Sequence, residues 1–94
     1  MRYDLECRYD SRQSFYGKAQ VLEQIMSDWK ETDLYSYDTL VAKIIETKNT
    51  KKYIYYGKYS QTTTRHQKEF FKQNGLSDKQ IKELFKNGEL RLEV

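Results

Sequence analysis

Between Tyr59 and Gly88 strand-like alternation stops and helix punctuation replaces it, capping residues and terminal glycines in an order that predicts two successive helices. The second helix is specified most fully. Ser77 is its N-cap and Gln80 completes a capping box, while Leu76 and Ile81 flank the cap as a hydrophobic staple. Ile81, Leu84 and Phe85 share its apolar face, and Gly88 ends it. The first helix starts in the run Thr62-Thr63-Thr64, any one of which can cap it. It stops at Gly75, where a left-handed residue belongs. His66 and Phe70 share one of its faces with Gln67 and Phe71 beside them, and Arg65, Lys68 and Lys72 point to solvent.

Upstream, the spacing predicts strands. Tyr3, Leu5, Cys7 and Tyr9 alternate with charged residues, and Asp10-Ser11-Arg12 supplies turn chemistry. Ser14 to Val21 reads as a second strand with Phe15, Gly17, Ala19 and Val21 on one face, Gly17 marking a bulge or a close approach. Leu34 to Tyr37 and Thr39 to Glu46 are rich in β-branched and aromatic residues. A polar hairpin turn, Lys48-Asn49-Thr50-Lys51, leads into a strand from Lys52 to Ser60. That strand places Tyr53, Tyr55, Gly57 and Tyr59 on one face and Ile54 and Tyr56 on the other. Leu90, Leu92 and Val94 alternate with Glu89, Arg91 and Glu93, which predicts a short final strand.

Residues 20–30 support two readings. Leu22, Ile25, Met26 and Trp29 stand at the spacing of an amphipathic helix. Val21 and Ile25 equally continue a strand into an acidic loop from Asp28 to Asp33. Either way the expected architecture is a single α+β domain over residues 1–94. A small, mainly antiparallel sheet is packed by two C-terminal helices.

Composition narrows the class. Of 94 residues, 37% are apolar and 33% charged, but 15% are aromatic, which favours a folded chain over a disordered one. The lone Cys7 forms no internal disulfide, there is no apolar signal core, and no run approaches the roughly 20 apolar residues that span a bilayer. A soluble cytoplasmic protein without a membrane partner is expected. One histidine and one cysteine make no metal set, and no phosphate loop or zinc-protease motif occurs. Cys7 reads as a small core hydrophobe rather than a nucleophile activated by His66. The chain is therefore expected to be non-enzymatic and to carry no cofactor or metal.

Charge is segregated along the chain. Residues 1–42 have a net charge of −3, residues 43–72 a net charge of +6, and the remainder balances. Such a basic segment can steer an acidic partner or simply solvate its own hairpin and helix. Lys48, Lys51, Lys52 and Lys58 are interleaved with Tyr53, Tyr55, Tyr56 and Tyr59, a mixture suited to phosphates and unpaired bases or to a protein interface. The residues expected to meet a partner are Lys48, Lys51, Lys52, Tyr55, Lys58, Tyr59, Arg65, His66, Lys68 and Lys72. His66 also has a structural reading, packed on Phe70 and bonded to the sheet.

Three segments carry a resemblance. They are Tyr9-Asp-Ser-Arg-Gln-Ser-Phe-Tyr-Gly-Lys-Ala19, Leu34-Tyr-Ser-Tyr-Asp-Thr-Leu-Val-Ala42 and Tyr59-Ser-Gln-Thr-Thr-Thr-Arg-His-Gln-Lys-Glu-Phe-Phe-Lys-Gln-Asn-Gly75. In this order the chain resembles a small uncharacterised family of phage and prophage proteins of unknown function. That resemblance implies a phage-type origin and no established activity. It makes two functions the leading expectations. One is an inhibitor of a host defence complex, anti-CRISPR-like, acting by contact with a host or phage protein complex or nucleoprotein. The other is direct nucleic-acid binding through the basic–aromatic surface of residues 43–72. The oligomeric state stays open.

Overall fold

Tyr37 and Asp38 both have positive φ, 50° and 67°, which is the two-residue type I′ turn that matches the twist of flanking antiparallel strands. Aspartate tolerates this region; for tyrosine it costs about 1 kcal/mol, which the hairpin it closes must offset. The computed structural model describes residues 1–93. The hairpin around this turn is the centre of one six-stranded sheet. Its strands are β1 (Arg2–Asp4), β2 (Ala19–Ile25), β3 (Trp29–Ser36), β4 (Thr39–Thr47), β5 (Thr50–Tyr55) and β6 (Glu89–Glu93). They lie in sequence order and every neighbouring pair is antiparallel. Between β5 and β6 the chain leaves the sheet for two helices, α1 (Gln61–Gln73) and α2 (Asp78–Asn87), then returns so that Tyr53 pairs with Leu90. The α+β architecture is as the sequence implied.

Register decides which side chains meet the helices. Val21, Leu34 and Ala42 are paired neighbours across β2, β3 and β4, and Ile44, Tyr53 and Leu90 continue that face. Under α1 and α2 these residues join Phe70, Phe71, Leu76, Ile81 and Leu84 in the core. Leu34 pairs with Ala42 but Tyr35 with Leu40, so Val41 is one extra residue in β4. This bulge buries both Val41 and Ala42.

Several sequence expectations need correction. Of the two readings of residues 20–30 the strand holds, since Val21 and Ile25 both lie in β2; the acidic loop does not, because the chain turns at once into β3, the Met26 N–H donating to the Trp29 carbonyl at 2.8 Å. The acidic run becomes β3 because Lys43 on β4 reaches Glu31 and Asp33, at 3.2 and 3.8 Å, and offsets their charge. The strand expected over residues 3–9 stops at Asp4, and the one expected from Ser14 begins only at Ala19. Tyr16 and Gly17 both have positive φ, so Gly17 serves a turn rather than a bulge within a strand. Strand β5 ends at Tyr55 instead of Ser60, with Gly57 at φ 100° turning the chain toward α1. The cap of α1 is Ser60 rather than a threonine, its Oγ accepting from the Thr63 N–H. Capping box, staple and left-handed Gly88 of α2 stand as read. The alternation expected at Val94 lies outside the described residues.

Candidate functional site

Thr63, His66, Gln67 and Glu69 of α1 are turned inward, and the sheet and the segment before β2 explain why. Glu69 is 2% exposed. Its Oε1 accepts the backbone N–H groups of Tyr9 and Asp10 at 2.9 and 2.8 Å, and its Oε2 accepts from Gln73. Those two bonds tether the segment between β1 and β2 to the helix. Gln67, fully buried, donates through Nε2 to the carbonyls of Val41 and Gly57, holding the β4 bulge and the exit from β5. Gln73 ties Glu6 in the same way.

His66, 1% exposed, lies beneath the surface. Its Nδ1 is 2.8 Å from Ser36 Oγ, which is 2.8 Å from Thr63 Oγ1, which in turn accepts from Ser60. The imidazole packs edge-on against Phe15 at 4.5 Å and beside Tyr37, not against Phe70. Burial pushes its pKa down to about 4, Asp10 opposing the shift and Arg12 adding to it.

The expected basic surface divides in three dimensions. Arg65 donates to Asp10 at 3.1 Å, Lys72 reaches Asp78 at 3.0 Å, and Lys52 reaches Glu89 at 3.2 Å. Lys51, on the other face of β5 from Lys52, bonds the Asn74 carbonyl and lies 3.6 Å from Glu46. Three of these four carboxylates come from outside residues 43–72, so the charge segregation of the sequence is partly cancelled in space. Tyr55 is stacked on Phe85 at 4.1 Å and serves the docking of α2. Lys58 and Tyr59 lie exposed in the link to α1. On α1 itself Arg65, Lys68 and Lys72 do come together, lining a groove of about 310 Å³ beside the exposed ring of Tyr9.

Lys48 goes elsewhere, and its neighbours escaped sequence reasoning. Because β3 pairs with β4, the turns after β2 and β4 lie side by side at one end of the sheet, with Trp29 opposite Thr47. Met26, Ser27, Asp28 and Trp29 on one tip face Thr47, Lys48 and Asn49 on the other across a cleft of about 590 Å³. Ile25 is 81% exposed, Trp29 46% and Met26 38%. The available signal was the Ser27-Asp28 pair, a turn dipeptide inside an apolar run.

Among the described residues no group of three or more His, Cys, Asp or Glu side chains could hold a metal ion. No described helix is long and apolar enough to cross a membrane. Fold and surface together define a small α+β domain whose exposed chemistry is an apolar hairpin-tip cleft and a short basic groove. The chain belongs to the family described as "Family of unknown function (DUF8033)", whose model matches residues 3–87, from β1 through α2. Comparison with curated proteins and with solved structures returned no match.

Proposed function

We propose that this protein acts by binding another protein, with the cleft between its two hairpin tips as the anchor. The observation carrying this reading is the exposure of Ile25, Met26 and Trp29 together at one end of the sheet, beside Lys48. Trp and Met are favoured in interface centres, whereas a fold of this size gains more by burying such side chains than by displaying them. A phage-type inhibitor of a host defence complex is the form of this function that the sequence resemblance favours, so defence complexes are the first partners to try.

The test is capture of candidate complexes by the tagged chain and by its Trp29→Asp variant. A stoichiometric protein partner held by the first and lost by the second supports the proposal. Equal capture by both removes the cleft from it.

A second reading, direct nucleic-acid binding, draws on the row Arg65, Lys68 and Lys72 beside Tyr9. Phosphate contacts make affinity fall steeply with salt, and an exposed tyrosine can stack a base. Titration with labelled single- and double-stranded oligonucleotides at two salt concentrations tests it. Salt-insensitive or absent binding overturns it.

A further inference from the structure

Both helices pack on one face of the sheet, and among the described residues nothing forms a second layer on the other. Along the strands that open face carries Leu22 on β2, Glu31, Asp33 and Tyr35 on β3, Lys43 and Ile45 on β4, and Lys52 and Ile54 on β5. The three aliphatic side chains, Leu22, Ile45 and Ile54, and the Tyr35 ring are only partly buried by their sheet neighbours. An antiparallel sheet commonly leaves one face to water; what sets this one apart is the apolar set Leu22, Tyr35, Ile45 and Ile54 among its charges.

We infer that a second copy of this chain covers it, with a two-fold axis along β4. The argument is one of charge placement. Register puts Glu31, Ile45 and Lys52 in one row across β3, β4 and β5, and Asp33, Lys43 and Ile54 in the next. The acids lie on one side of β4 and Lys52 on the other. Rotation about an axis along β4 reverses the strand order at constant height. It therefore sets Glu31 of each copy over Lys52 of the other and brings together at the axis the two Ile45 side chains and, one row on, the two Lys43 side chains, each beside its own Asp33. A two-fold axis across the strands would instead stack β3 on β3, acids on acids, and leave Lys52 with no carboxylate opposite. Lys43 stays neutralised within its own chain by Glu31 and Asp33. Lys52 has only the exposed Glu89 to release.

The area is sufficient. The molecule measures 35 × 29 × 21 Å, and a two-layer fold is thinnest across its layers. The open face is thus bounded by the two longer dimensions, enough for the roughly 800 Å² per partner of a standard interface. Two such sheets pack with strands nearly aligned, and an isologous contact closes without leading to fibres.

Sedimentation equilibrium on the full chain, from low to high micromolar and at low and high salt, tests this. The expected result is a reversible dimer that weakens with salt. Ile45→Glu should give a monomer with an unchanged far-UV spectrum. If that variant does not fold, Lys52→Glu takes its place: alone it should weaken the dimer by about tenfold, and adding Glu31→Lys should restore it. Lys48→Glu, at the hairpin tips, should leave the mass unchanged. A monomer at every concentration overturns the inference, as does a dimer indifferent to both Ile45→Glu and Lys52→Glu or one dispersed by Lys48→Glu.

Discussion

The Glu69 carboxylate accepts the backbone N–H of Tyr9, 60 positions earlier in the chain, and with the same oxygen that of Asp10. A single buried acid thereby fixes the path of the segment between β1 and β2. Hydrogen bonds to an ionised acceptor are the strong kind, and leaving two amides without a partner adds a desolvation cost. Glu69→Ala should lower unfolding free energy by about 3 kcal/mol in urea denaturation, and Glu69→Gln by less, since an amide oxygen still accepts. Hydrogen exchange at Tyr9 and Asp10 should accelerate in Glu69→Ala ahead of exchange in β3 and β4.

Acid should destabilise the fold through His66. Its pKa is about 4 in the folded chain against an ordinary value of 6.5, so between these limits the unfolded chain binds the extra proton. Stability is then complete above about pH 6.5 and declines as pH falls toward 4, by on the order of 2–3 kcal/mol. Urea titrations of the wild type and of His66→Gln across this window should show that decline in the wild type and a shallower slope in the variant.

The hydroxyl chain also sets the tautomer of His66. Ser60 donates to Thr63, and every hydroxyl proton finds an acceptor if Thr63 donates to Ser36 and Ser36 to Nδ1. The ring proton must then sit on Nε2, a buried atom with no oxygen or nitrogen partner and an aromatic neighbour in Phe15. Nitrogen-15 shifts should report an unprotonated Nδ1 and a protonated Nε2. Ser36→Ala should shift that population.

Substitutions in the hairpin-tip cleft should leave stability intact. Ile25 and Trp29 are too exposed to contribute much to the core, so Ile25→Ser and Trp29→Ala should each change the midpoint of thermal unfolding by only a degree or two. By contrast Phe85→Ala, which removes the ring stacked on Tyr55, should cost about 2 kcal/mol. Calorimetry on the three variants distinguishes the two classes.

What could be read from the sequence was local. Helix α2 was legible from end to end because the Ser77–Gln80 box, the Leu76–Ile81 staple and Gly88 all act within a few residues of one another. The β2–β3 hairpin was not. Leu22, Ile25, Met26 and Trp29 fit a helix as well as a strand, and the turn at Ser27-Asp28 has neither Gly nor Pro to mark it. Strand β3 looked like an acidic loop because the lysine that neutralises it arrives from β4. The candidate site fared similarly. Arg65, Lys68 and Lys72 do share a groove, but the acid that holds Arg65 is Asp10, 55 positions earlier, and no local pattern announces such a partner.

The strand order carries a kinetic consequence. Every pairing from β1 to β5 joins consecutive strands, and β2 to β5 are linked by short turns, so this part of the sheet can zip from local contacts. The pairing of β5 with β6 alone must wait for two helices to form and dock. A chain emerging from the ribosome therefore presents β5 as an open edge, with Tyr53 and Ile54 ready to pair with any passing strand, until β6 has been made. The window for misassembly in this protein is the time taken to synthesise residues 56–93.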